Sequence, residues 1–271
     1  MTVAPFAQWQ PRLDAACAQA ALLHRAIVLE ETPSTQDAPE TRAARPGTVV
    51  TAWRQTAGRG RFGRQWSDTA SAGIAATFVV DSQPAERLAL AAAIAAAEAA
   101  ESALGTRVGI KWPNDVVVGG RKLAGVLIET SSGRALVGIG LNVGQRAFDG
   151  DLAERATSLA ILGSAADRLD VLCTLVSALD RALSASDAAL AEQFHARDAL
   201  RGTRALFATP SGPVEGEVRA VDPMRGLVVR TESGEHFLPA QSTSVAEWGG
   251  RVWRSAPSGN TVTGGRGPAS R

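Results

Sequence analysis

The sequence predicts an α+β protein: one domain mixing helices and strands, a small all-β domain after it, and an irregular tail. Three observations carry this reading. Between 27 and 200, helical and two-residue apolar periods follow one another along the chain. After Gly202 only short strand-like runs remain, cut by the turn signals Pro210-Ser211-Gly212-Pro213, Asp222-Pro223 and Ser233-Gly234. From 249 to 271, Gly, Ser, Pro and Arg dominate without any period. The expected segments are therefore a helical lead (1–26), a principal domain (27–200), a small β-barrel (201–248) and a disordered tail (249–271).

The elements follow in order. Leu13, Cys17, Ala20 and Leu23 form a helical stripe over 11–26. Ile27 to Leu29 is a short strand, Pro46-Gly47 a turn, and Thr48 to Trp53 a second strand. The stretch Gln55 to Trp66 is dense in Gly and Arg and reads as a long loop. Ile74 to Val80 is a strand, and the alanine-rich run Ala85 to Leu104 a helix with Gly105 as its C-cap. Val108, Ile110 and Trp112 alternate as a strand. Asp115 to Val118 and Lys122 to Thr130 flank Gly119-Gly120 as a hairpin. After the turn at Ser131-Ser132-Gly133 comes the strand Ala135 to Val143, and Arg168 to Arg197 returns to helix.

Composition excludes several classes. The chain is 45% hydrophobic and 20% charged with a net charge of +1, which gives no electrostatic case for a dedicated nucleic-acid binder. Met1 to Gln10 lacks a basic region followed by an apolar run, so no signal peptide is expected. The apolar stretch Ala85 to Ala103 is broken by Glu86, Arg87, Glu98 and Glu101, so no membrane span is expected either. Cys17 and Cys173 form no paired motif and suit a reducing, cytoplasmic setting. Of 28 basic residues only Lys111 and Lys122 are lysine. A genome that favours arginine accounts for the bias, but not for two lysines surviving in one short segment. Their survival points to a need for a compact ammonium there.

Four segments stand out chemically. Ala57-Gly58-Arg59-Gly60-Arg61-Phe62-Gly63-Arg64-Gln65-Trp66 contains a GxGxxG pattern, but no helix follows it, so a dinucleotide-binding turn is excluded. Its guanidiniums and glycine backbone suit polyanion capture; a mobile basic surface loop and an RNA-binding Arg-Gly segment stay open as alternatives. Lys111-Trp112-Pro113-Asn114-Asp115 precedes Arg121-Lys122-Leu123-Ala124-Gly125, where Lys122 opens a strand that points back toward Asp115; a plain surface hairpin reads equally well. Ser34-Thr35-Gln36 offers hydroxyls and an amide, or a helix N-cap. Gly138-Ile139-Gly140-Leu141-Asn142 permits close approach to the backbone of a strand, by a ligand or by packing alone.

In this order and spacing the four segments resemble the biotin–protein ligase family. That family carries a Ser-Thr-Asn/Gln segment, a GRGRxGRxW loop, KWPND, an RKxxGIL/VxE strand and a GIGxN strand. The resemblance covers roughly Glu30 to Val143, and Gly202 to Trp248 resembles, more weakly, the family's small SH3-like C-terminal domain. It implies a mixed β-sheet flanked by helices, of the class II aminoacyl-tRNA synthetase-like, biotin/lipoate ligase type. It implies also that biotin is activated with MgATP to biotinyl-5'-AMP, then transferred to a lysine on the biotin carboxyl carrier protein of acetyl-CoA carboxylase, with other biotin-dependent carboxylases as further acceptors. Magnesium would arrive with the nucleotide, since three histidines and no His/Cys cluster argue against a protein-built metal site.

By the same resemblance, Ser34, Thr35, Gln36, Gln55, Arg59, Gly60, Arg61, Lys122 and Gly125 would hold biotin. Arg61, Arg64, Trp66, Asn114, Lys122 and Asn142 would hold the nucleotide, with Trp66 against the adenine. The reacting groups would be Lys122, Arg59 and Arg61, with Asp115 orienting or deprotonating the acceptor amine. In that role, loss of Asp115 would slow transfer more than biotin binding. Gln36 departs from a frequent Asn and Phe62 from a frequent Arg. Only about 30 residues precede Ser34, too few for the winged DNA-binding domain of many bacterial members, so no specific DNA binding is expected. A lipoate ligase or lipoyl/octanoyl transferase is the rival within the fold; a non-catalytic binder built on the Arg-Gly loop is the rival outside it.

Overall fold

The computed structural model describes residues 4–60, 65–66, 72–131 and 133–253. In chain order its strands begin with β1 (Arg25–Thr32), β2 (Thr48–Gln55), β3 (Gly58–Arg59), β4 (Gln65–Trp66) and β5 (Ile74–Asp81). After them come β6 (Gly109–Lys111), β7 (Asp115–Val118), β8 (Arg121–Ser131) and β9 (Arg134–Leu141). The helices are α1 (Trp9–Cys17), α2 (Pro39–Ala43), α3 (Ala85–Leu104), α4 (Leu152–Arg155), α5 (Arg168–Ser184) and α6 (Asp187–His195).

Seven of these strands make one mixed sheet in the order β1-β2-β5-β9-β8-β7-β6, with β1 and β2 parallel and every other pair antiparallel. The strand period of two decides what each face carries. Along β9, Ala135, Val137, Ile139 and Leu141 are buried in the core with α3, while Gly138 and Gly140 face the other way. Helix α3 can lie close on the sheet because Ala91, Ala92, Ala93, Ala95, Ala96 and Ala97 are all buried. It ends where Gly105 turns left-handed at φ 68°, as the sequence predicts. Gly119 and Gly120, both at positive φ, make the tight β7–β8 turn. No helix among the described residues is long and apolar enough to cross a membrane.

Four expectations need correction. The helix expected over 11–26 stops at Cys17, because the buried carboxylate of Asp180 on α5 draws the following backbone out of helical geometry. That carboxylate accepts the N–H groups of Ala21, Leu22 and Leu23 at 2.9, 2.7 and 2.9 Å. The helix expected over 168–197 breaks at the extended residue Ala185, and Ser186 caps α6 by accepting from Ala189 N at 3.2 Å. The Gly/Arg loop is in part a ribbon, with Gly58 opposite Trp66 and Arg59 opposite Gln65. Arg61, Phe62, Gly63 and Arg64 lie outside the described residues.

The fourth correction concerns the C-terminal unit. It is a six-stranded antiparallel sheet of β10 (Arg204–Thr209), β11 (Gly212–Asp222), β12 (Gly226–Thr231), β13 (Gly234–Pro239), β14 (Ser244–Trp248) and β15 (Arg251–Val252). The order is β13-β12-β11-β10-β14-β15, so where a small β-barrel was expected the described residues form a small antiparallel β unit whose edge strands β13 and β15 do not pair. It also runs past Trp248 to β15 and the buried Trp253, into the stretch read as tail. Trp112 Nε1 donates to Pro223 O at 3.1 Å and Arg251 Nε to Glu154 O at 2.9 Å, tying this sheet to the principal one.

The N-terminal helix has a structural task. The Gln10 amide accepts from Val28 N and donates to Ala26 O, both at 3.1 Å, and so occupies the open edge of β1.

Candidate active site

A cavity of about 220 Å³ lies on the sheet face opposite α3. At one end, β1 runs into the buried segment Ser34, Thr35 and Gln36. Thr35 N and Oγ1 donate to Gln55 Oε1 at 2.9 and 3.3 Å, and the Thr77 hydroxyl lies 2.9 Å from Thr35 Oγ1 and 3.0 Å from Gln36 Oε1. Gln36 Nε2 donates to Leu136 O at 3.2 Å. Ser34 Oγ accepts the Gln36 N–H at 3.3 Å, which leaves its O–H proton for a ligand in the cavity. The N-cap alternative is thereby settled: α2 has Ala38 as its N-cap, with no side-chain capping bond.

The glycines of β8 and β9 make room for the protein's own side chains. A Cβ on Gly138 would stand 2.6 Å from Gln36 Oε1, and one on Gly140 would stand 2.3 Å from the Trp66 indole. One on Gly125 would fall 2.6 Å from Lys122 Nζ. Trp66 therefore lies flat on the sheet, with Lys122 Nζ 5.7 Å from its ring centroid.

The far end is charged. Lys111 and Asp115 stand opposite each other on β6 and β7, and a register shift between Val116 and Val117 brings Lys122 of β8 onto the same face. Asp115 Oδ2 takes Lys111 Nζ at 2.8 Å and Oδ1 takes Lys122 Nζ at 2.6 Å. Burial alone would push the Asp115 carboxyl up, but the two ammoniums outweigh it and hold the group well below the usual carboxylate range. The Trp112–Pro113 peptide between β6 and β7 is cis. Asn114 Nδ2 donates to Val126 O at 2.6 Å and Asn142 Nδ2 to Thr157 O at 2.9 Å, so both amides brace the backbone around the site.

Arg59, expected to hold biotin and to take part in the reaction, lines the cavity and is also engaged by two carboxylates. Its guanidinium forks onto Asp37 (2.6 and 2.8 Å) and Glu129 (3.0 and 3.0 Å), clasping β3 to the start of α2 and to β8. To reach a ligand anion it must exchange those two carboxylates. Gly60 lines the cavity; Arg61 and Arg64 lie outside the described residues.

Sequence reasoning missed Thr77, which secures both Thr35 and Gln36, and gave Lys111 no role. It also missed Trp253, which lines the cavity with its ring centroid 4.2 Å from Lys111 Nζ. A tryptophan inside a Gly/Ser/Arg tail was the signal for it. Among the described residues no three His, Cys, Asp or Glu side chains converge as metal ligands. Chemically, the slot suits a molecule with a hydrogen-bonding head and an acidic tail. An apolar sheet floor joins the two ends, and an indole for stacking stands beside the cationic end.

Residues 28–145 match the biotin/lipoate A/B protein ligase family. The bifunctional ligase/repressor BirA of Bacillus spizizenii is 35% identical over 54% of this chain, and the match spans 48% of that protein, about half its length. The biotin–[acetyl-CoA-carboxylase] ligase of Paracoccus denitrificans is 33% identical over 72% of this chain and 90% of its own length. Among solved structures, the biotin protein ligase of Aquifex aeolicus in complex with biotin and ATP superposes with a TM-score of 0.74 at 29% identity, covering 82% of this chain and 98% of that one.

Proposed function

The chain belongs to the biotin/lipoate A/B protein ligase family, and on that premise we propose that it is a biotin–protein ligase. The observation that carries the reading is a single slot with Ser34, Thr35 and Gln55 at one end and Lys122 at the other. The polar end suits the ureido ring of biotin and the ammonium suits its carboxylate. A lipoyl dithiolane brings no donor or acceptor to the polar end, so those buried groups would stay unsatisfied.

The chemistry is a two-step transfer. A biotin carboxylate oxygen bonds to the α-phosphorus of ATP as the bond to pyrophosphate breaks. The acceptor lysine amine then bonds to the acyl carbon, loses a proton, and AMP leaves. The first step joins two anions, so positioning and cationic stabilisation dominate it. Lys122 neutralises the meeting point, Trp66 offers its face to the adenine, and Arg61 and Arg64 serve the phosphates. Magnesium enters as MgATP. The acceptor is the biotin carboxyl carrier domain of acetyl-CoA carboxylase, the setting is cytoplasmic, and the C-terminal sheet stands in for the family's SH3-like domain.

Purified chain is expected to attach labelled biotin to a carrier domain only with MgATP present, and excess lipoate should not compete. Transfer of lipoate or octanoate in place of biotin would move the chain to the other branch of the family. A further expectation concerns Gly140→Ala. The added Cβ must displace the Trp66 indole, so the KM for ATP should rise about tenfold while that for biotin stays within about threefold. An unchanged KM for ATP would remove Trp66 from the nucleotide site.

A further inference from the structure

Lys111 is a buried cation with no task in the reaction as written above, and what covers it comes from the far end of the chain. Trp253 is 5% exposed, and its ring lies over the Lys111 ammonium. The indole is firmly seated: Trp253 N donates to Ala246 O at 2.5 Å and Nε1 to Trp248 O at 3.2 Å. Arg251, two residues earlier, donates to Glu154 O of α4. Ser244 and Val245 of β14 line the same cavity, so the C-terminal sheet supplies one of its walls.

We propose that Trp253 is a positioning residue of the adenylation step, acting through Lys111; the proposal rests on the ligase reading. Asp115 is shared between two ammoniums, one on each oxygen. Whatever holds Lys111 on Oδ2 keeps Oδ1 for Lys122, and so fixes the cation that meets the biotin carboxylate and α-phosphate. An aromatic face is suited to that task. It attracts an ammonium without adding a negative charge beside two anionic substrates, whereas a second carboxylate would compete with Asp115 and repel them.

The test is single-turnover formation of biotinyl-adenylate by the full chain. Trp253→Leu keeps apolar bulk without a π face and should form adenylate about tenfold more slowly, with the KM for biotin within about threefold of wild type. Trp253→Phe keeps the aromatic face and should stay within about threefold of wild type. In a Lys111→Met background, Trp253→Leu should cost less than about twofold further, because the interaction it removes is already gone. Equal behaviour of the Leu and Phe variants, whether both active or both impaired, overturns the proposal, as does a full tenfold loss in the Lys111→Met background. A wild-type chain that forms no adenylate overturns the ligase reading and this proposal with it; an active one confines any failure to Trp253.

Discussion

Lys122→Ala is expected to lower biotin-dependent exchange of pyrophosphate into ATP by two to three orders of magnitude, about 3 kcal/mol of transition-state stabilisation. Biotin affinity should fall by less than about tenfold, because the ureido end keeps its partners and a cation–carboxylate contact at a partly exposed site is worth little in the ground state. Lys122→Arg separates charge from shape. The lysine stem runs against the backbone at Gly125, where a single added Cβ would already stand 2.6 Å from Nζ, and Trp66 closes the other side. A planar guanidinium does not fit that gap in the same geometry. The Arg variant should therefore recover less than about a tenth of the lost rate. Near-normal exchange by Lys122→Ala, or full activity of Lys122→Arg, would falsify the assignment.

Much of this architecture is legible in local patterns, and the misreadings share a cause. Alternation announces β9, a continuous apolar run buried on both faces announces β5, and the Gly119-Gly120 turn announces β7 and β8. The end of α1 is not local: it is imposed by Asp180, more than 150 residues away in sequence. Whether the C-terminal sheet closes depends on its edge strands meeting, which no strand encodes alone. The site divides the same way. Gln55, Asp115 and Lys122 stand at strand ends or beside a bulge of the principal sheet, Thr35 follows the end of β1, and Trp66 reaches the same cavity from the β3–β4 ribbon. Arg59 reads from its loop as a group that meets biotin, but its partners Asp37 and Glu129 lie on other elements, so its ion pairs are not legible locally. Trp253 escaped notice because the composition around it looks unstructured.

Asp115→Asn is expected to impair both steps of the reaction and the stability of the fold, which separates it from a general base. A base that served only the acceptor amine would affect transfer alone. Lys111 and Lys122 hold the Asp115 carboxyl well below its ordinary range, which weakens it as a base, so this prediction assigns it an electrostatic task. Asparagine keeps the shape but removes the charge that neutralises two converging cations. Adenylation should slow about a hundredfold as Lys122 loses its anchor, and transfer from preformed adenylate should slow alongside it. The fold should lose on the order of 3 kcal/mol at neutral pH, since one partner of a buried ionic cluster is gone. The pH dependence has a definite sign. A carboxyl whose folded pKa is depressed stabilises the protein above its unfolded pKa of about 4, and that stabilisation fades as pH falls toward the folded value. Wild type should therefore lose this contribution only below about pH 4, and Asp115→Asn should lack that part of the acid limb. Denaturant titrations from pH 3 to 9, beside single-turnover measurements of each step, distinguish the cases: a variant slowed in transfer alone, with wild-type stability throughout, would return Asp115 to the role of a base.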